Sequence, residues 1–201
     1  ALYPVMFVDY LAYLRGDMAP TERWLIGAAM TSSMTWLNIR GIRLVGDASV
    51  IFALFVLAPF AVMVILGGSR IQPIPWPAAA TVDWALLLSV VLWNTSGWDN
   101  AGCCAGEVAR PNRTYPRAIA ISVALVTLAY LLPGLVGVSI DTQWSNWQEG
   151  YFPKVAAQVG GNWLGAWLTI AGLVSAMGLL NALLCTSARV PYAMAARGTL
   201  P

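Results

Sequence analysis

The stretch from Leu86 to Val108, LLLSVVLWNTSGWDNAGCCAGEV, limits the folds open to this chain more than any other. It begins as a strongly apolar helix pattern, is interrupted by the turn formers Asn94-Thr95-Ser96-Gly97, and resumes as a small-residue helix ending at Glu107. At ~1.5 Å per residue the whole is about long enough to cross a bilayer. A break at that depth leaves backbone N–H and C=O groups without helical partners. Lipid cannot satisfy them, so such a break survives where it lines a cavity or binds something. Discontinuous helices of this kind form the substrate sites of secondary transporters.

Composition agrees with a membrane setting. The 201 residues are 59% hydrophobic and 10% charged, against roughly a quarter charged in a soluble domain. The net charge of +2 says little about partners, and the sequence shows no clustered basic face of the kind that binds nucleic acid. With no histidine and three cysteines, most metal schemes are excluded, and nothing calls for a cofactor. Cys103, Cys104 and Cys185 read as small apolar packing residues rather than a disulfide framework. No nucleophile–base pair or phosphate loop suggests an enzyme. Without an initiating Met or a signal peptide, the chain is expected to be a stretch of a longer protein.

The hydropathy pattern predicts an all-α, polytopic membrane domain with spans at about 1–14, 21–38, 47–68, 82–108, 118–139 and 162–187. Pro59 is expected to kink the third span. Basic or extended loops are expected at Ile39–Arg43, Gln72–Pro77 and Arg110–Arg117, and a long loop over 141–161 with a short surface helix in its Gln148–Val159 portion. Arg40, Arg43, Arg110, Arg113, Arg117, Arg189 and Arg197 fall in one set of loops, and Arg15, Arg23, Arg70 and Lys154 in the other. The first set is read as cytoplasmic.

Asp99 is the first candidate site residue. An acid at mid-membrane costs roughly 2.5–3.5 kcal/mol and by default marks a pathway or a binding site. Just after the break, it would cap the second half-helix and turn negative charge towards a cavity, so the site would prefer an amine. The alternative is a plain N-cap. Trp93 and Trp98 flank the break and offer cation–π faces worth about 0.5–2 kcal/mol each, or simply packing. Asn94 belongs to the unwound segment, and Gly97 suits a position needing positive φ or close ligand approach. Glu107 is a gate or coupling candidate through Arg110, Arg113 and Arg117, or else a solvated ion pair. Asp9 is a second such candidate, or an interfacial carboxylate. Gly102 and Gly106 favour close helix packing, and Ser175 and Asn181 favour interhelical hydrogen bonds.

The segment WNTSGWDNAGCCAGEVARPNRTYPRAI, from Trp93 to Ile119, resembles the sixth helix and following loop of the amino acid–polyamine–organocation transporter superfamily. The pattern is most similar to plant and protist polyamine transporters, near the L-type amino acid transporters. ALYPV with Asp9-Tyr10-Leu11, WLNIRG from Trp36, Gly150-Tyr151-Phe152 and AARGTLP from Ala195 agree. The resemblance implies part of a LeuT-like bundle of two inverted repeats, from the end of helix three through helix eight, with the discontinuous helix at about 94–98. It implies substrate held between helices one and six, with Asn94 to Trp98 unwound and Trp98 and Asp99 at the pocket. Helix one would lie outside this chain, so the missing helices of the full-length protein would be partners.

The expected function is a multi-pass permease, in the plasma membrane, importing polyamines or cationic amino acids by proton coupling, with Asp99 as the amine anchor. The span 47–68 carries no Lys that could replace a bound sodium, and Asp99 or Glu107 would be the group to carry a proton. The alternatives are a neutral amino acid transporter or exchanger, in which Asp99 only caps, and a nutrient receptor that binds without transporting.

Overall fold

The computed structural model describes residues 2–71, 82–143, 147 and 150–199, with the side chains of Tyr13, Trp98 and Asp99 outside the description. Among the described residues seven α-helices run in order: α1 Leu2–Arg15, α2 Pro20–Ile39, α3 Ile42–Gly67, α4 Trp84–Thr95, α5 Pro111–Ile140, α6 Phe152–Gly160 and α7 Asn162–Ala196. Narrower 3₁₀ segments cover Gly68–Arg70 and Trp98–Glu107. Among the described residues there is no strand.

The helix bounds depart from the sequence reading in four places. The third helix begins at Ile42 rather than 47, because Gly41, at φ +114, supplies the turn in a single residue. Arg110–Arg117, expected as a loop, is helical from Pro111, since proline suits a first helical position, where its missing N–H costs nothing. The last helix runs on to Ala196 through Pro191. The half-helix after the break is 3₁₀ rather than α. The expected loop Gln72–Pro77 lies outside the described residues, as do Gln148 and Glu149 where the surface helix was expected to start; that helix is Phe152–Gly160.

Among the described residues, three helices are long and apolar enough to cross a membrane, Ile42–Arg70, Pro111–Ile140 and Asn162–Ala196, and most of each apolar window is uncovered by the protein itself. Helix α2 has 20 residues, about 30 Å at its rise. Three of its hydroxyls bond within the helix: Thr31 donates to the Gly27 carbonyl, Ser33 to Met30 and Thr35 to Thr31, each at 2.8 Å. That internal bonding makes a polar helix compatible with lipid.

The chain forms two compact units. The first comprises Ala1–Gln72 and Ile121–Cys185, the second Pro73–Ala120 and Thr186–Pro201. The first unit has a core of Met63, Val136, Val155, Ala156 and Leu164, all fully buried, where α3, α5, α6 and α7 meet. Glycines permit these crossings. A Cβ on Gly67 would stand 2.5 Å from Val136 Cγ1, and one on Gly165 would stand 2.7 Å from the Pro153 carbonyl oxygen. A second cluster joins Met30 and Met34 of α2 to Ala176 and Leu180 of α7.

Asn181, fully buried on α7, ties three helices of this unit together. Its carboxamide oxygen accepts from Asn38 Nδ2 of α2 at 2.9 Å, and its Nδ2 donates to Ser49 Oγ of α3 at 3.1 Å and to the Val45 carbonyl at 3.4 Å. This is the interhelical role that an intramembrane asparagine suggests.

Candidate functional site at the helix break

In the second unit, Asp83 opens α4, its side chain accepting from the Leu86 N–H at 3.0 Å. The helix then runs for 12 residues and stops at Thr95. Ser96 is extended, with φ −79 and ψ +155, and Gly97 is left-handed at φ +92. A side chain at Gly97 would be strained, which is why glycine belongs there.

The polar residues at the break turn back onto α4. Asn94 Nδ2 donates to the Val90 carbonyl and Thr95 Oγ1 to the Val91 carbonyl, both at 2.8 Å. Ser96 bonds the Trp93 carbonyl twice, from Oγ at 2.9 Å and from its backbone N–H at 3.4 Å. A helix end leaves its last carbonyls without partners, and Thr95 and Ser96 supply some of them. The C-terminal end of α4 carries the negative end of the helix dipole, which favours a cation.

Beyond Gly97 the 3₁₀ segment Trp98–Glu107 has 10 residues, far beyond the usual three or four of such helices. Asn100, Gly102 and Gly106 are poor α-helix formers, so the segment has little intrinsic preference for the α geometry. The close packing expected of Gly102 and Gly106 is not seen, since a Cβ on either would meet nothing within 4 Å among the described residues.

Each predicted site residue can now be located. Trp93 ends α4 with its ring 68% exposed. Asn94 is committed to its own helix and Gly97 makes the turn. Trp98 and Asp99 are the first two residues of the 3₁₀ segment; what their side chains do lies outside the described residues. Glu107 pairs with Arg189 rather than with Arg110, Arg113 or Arg117. The guanidinium grips it side-on, Nε to Oε1 at 2.7 Å and Nη2 to Oε2 at 3.2 Å. Loop proximity in sequence misled here, because it is the extension of α7 beyond 187 that carries Arg189 to Glu107. Asp9, in the first unit, pairs with Arg23 in the first turn of α2. The carboxylate is exposed and the guanidinium half-buried.

A feature with little sequence signal lies within the first unit. A cavity of about 400 Å³ opens among α1, α3, α7 and the segment before α6, lined by Tyr10, Phe60, Trp147, Tyr151, Phe152 and Ser175 among others. Among the described residues, no charged one lines it. Gly172 seats Tyr10, whose ring would be 3.3 Å from any Cβ there. Trp147 stacks on Tyr151 with centroids 5.5 Å apart. The Tyr151 hydroxyl donates to Asp141 at 2.7 Å, and that bond, more than burial, raises the phenol above its ordinary pKa. The aromatic residues are far apart in the chain, so only the fold collects them.

Comparison with known proteins agrees with this architecture. The sequence profile described as amino acid permease matches residues 1–201. Polyamine transporter RMV1 of Arabidopsis thaliana is 34% identical over the whole chain, and Polyamine transporter PUT1 of Oryza sativa subsp. japonica 36%. The rat Large neutral amino acids transporter small subunit 2 is 28% identical over 88% of the chain and 36% of its own length. The chain spans 42% of the first plant protein and 39% of the second. With a permease profile over its full length and apolar helices interrupted at Ser96–Gly97, the chain is a multi-pass membrane protein that belongs to the amino acid permease family.

Proposed function

We propose that this chain forms part of a permease that imports polyamines or cationic amino acids, with Asp99 anchoring the amine at the break. One observation carries the reading: α4 ends at Thr95, the chain turns at a left-handed Gly97, and the acid Asp99 follows two residues later. The negative end of α4 and the Asp99 carboxylate both favour a cation there. At ~4 Å and an effective dielectric of ~20, one ammonium–carboxylate contact gains about 4 kcal/mol before desolvation. Plant relatives with polyamine transporter names support the substrate class. Proton coupling, the plasma membrane and an inner gate at the Glu107–Arg189 pair belong to the same proposal.

The test is uptake of labelled putrescine by the full-length gene product. Asp99→Asn is expected to lower uptake by at least about tenfold, and Asp99→Glu to keep part of it. Equal uptake by Asp99→Asn and the parent refutes the anchor. Uptake that persists without a pH gradient removes proton coupling alone.

A neutral amino acid carrier is the second reading. The uncharged aromatic cavity in the first unit and the rat relative favour it. Competition separates the two: leucine would block uptake in a neutral carrier, whereas arginine and spermidine would block it in an amine carrier.

A further inference from the structure

The sequence scatters its arginines, but the second unit gathers five of them around a single acid. Glu107 lies three residues before Arg110 and is held by Arg189 through a two-point ion pair. That pair brings the basic start of α5 beside the basic end of α7. Arg113 and Arg117, four residues apart, share one face of the α5 start, and Arg110 precedes that helix at a left-handed φ of +51, its carbonyl accepting from the Arg113 and Thr114 N–H groups. Arg197 lies beyond the end of α7 and, with Arg189, Met194 and Thr199, borders a shallow cavity of about 300 Å³. Arg110, Arg113, Arg117 and Arg197 are all exposed, and among the described residues none has a carboxylate within ion-pair distance. Residues 100–120 and 186–201 contain no acid other than Glu107, which Arg189 already neutralises.

We propose that this basic face binds the headgroups of anionic phospholipids. Position argues for lipid over a soluble anion. The arginines sit where the apolar lengths of α5 and α7 begin and end, at the level of the headgroups if those helices span. Tyr115 and Tyr192, the latter 76% exposed, flank them as tyrosines do at a bilayer surface. A guanidinium meets a phosphodiester with two parallel hydrogen bonds, and basic residues next to a span are attracted to an anionic leaflet. The Glu107–Arg189 pair would hold the two basic segments at a fixed spacing, so lipid composition would bear on the same end of the molecule as the proposed inner gate. The binding itself does not depend on what the protein transports.

The experiment places the chain in nanodiscs of phosphatidylcholine and phosphatidylserine and measures, by native mass spectrometry, which lipids stay bound. Phosphatidylserine should be retained over phosphatidylcholine by at least about tenfold at low salt, with the preference shrinking as salt rises. Arg113→Gln with Arg117→Gln, at about fivefold per arginine, should abolish a preference of about tenfold. The paired Lys variant, Arg113→Lys with Arg117→Lys, should retain most of it, which guards against a fold defect in the Gln pair; circular dichroism checks helicity in both. Equal retention of the two lipids overturns the proposal, and so does a preference untouched by the Gln pair. Displacement of phosphatidylserine by millimolar-scale inorganic phosphate alone also overturns it, because the face would then read a soluble anion.

Discussion

Asn181 and Asn94 are the same side chain on two apolar helices, and the two units use them in opposite ways. Asn181 is fully buried and spends its carboxamide on α2 and α3. Asn94 is exposed and returns its amide to Val90 of its own helix. Around Asn181, glycines let helices touch and two apolar clusters are closed off. Around Asn94, no residue of α4 is buried, and the helix stops instead of packing. The first unit is therefore a bonded frame. The second carries a broken helix whose backbone is only partly self-satisfied, which is the condition under which a ligand can be worth more than another helix.

The sharpest way to break this contrast is one substitution made in both places. Gly165→Ala puts a methyl 2.7 Å from the Pro153 carbonyl, a backbone group that cannot turn aside, so it should destabilise the protein by about 1–3 kcal/mol. Gly102→Ala enters open space and should be neutral or stabilising by up to ~1 kcal/mol. Thermal unfolding in detergent compares the two, and equal effects would erase the distinction between the units. Next in size, Asn181→Leu removes the interhelical bonds to Asn38 and Ser49, which keep only their bonds to Met34 and Val45 within their own helices, and should cost about 1–2 kcal/mol. A double-mutant cycle with Asn38→Leu should show coupling, whereas Asn94→Leu paired with Asn38→Leu should be additive. The smallest effect concerns pH. The Tyr151 phenol titrates above its ordinary value because it donates to Asp141. Its protonated form is the one favoured by folding, so this contribution is whole below about pH 10 and is lost as pH rises beyond. Tyrosinate absorbance should show a late-titrating component that Asp141→Asn moves towards the ordinary value.

An interruption was legible in the sequence because turn formers inside an apolar run carry their own signal, but Asn94 and Thr95, expected to be unwound, stay helical by bonding back to α4, and the break falls at Ser96–Gly97. Also legible was the interhelical role of Asn181, a lone amide in an apolar helix. The 3₁₀ geometry of Trp98–Glu107 was not, since small residues suit any tight helix and only hydrogen bonding selects the pitch. Arg110–Arg117 misled because arginines and prolines at a helix start look like a loop until Pro111 is taken as a first helical position. Arg189 as the partner of Glu107, and the gathering of Tyr10, Phe60 and Trp147 around one cavity, depend on contacts between distant segments. No local pattern encodes them.

The most direct test of the break as the substrate site is chemical. With Cys103, Cys104 and Cys185 replaced by serine, Ser96→Cys in the full-length protein should react with a water-soluble thiol reagent, and putrescine should slow that reaction while leucine leaves it unchanged. A cysteine at 96 that never reacts, or that reacts at the same rate with and without putrescine, would contradict the placement of an amine at this turn.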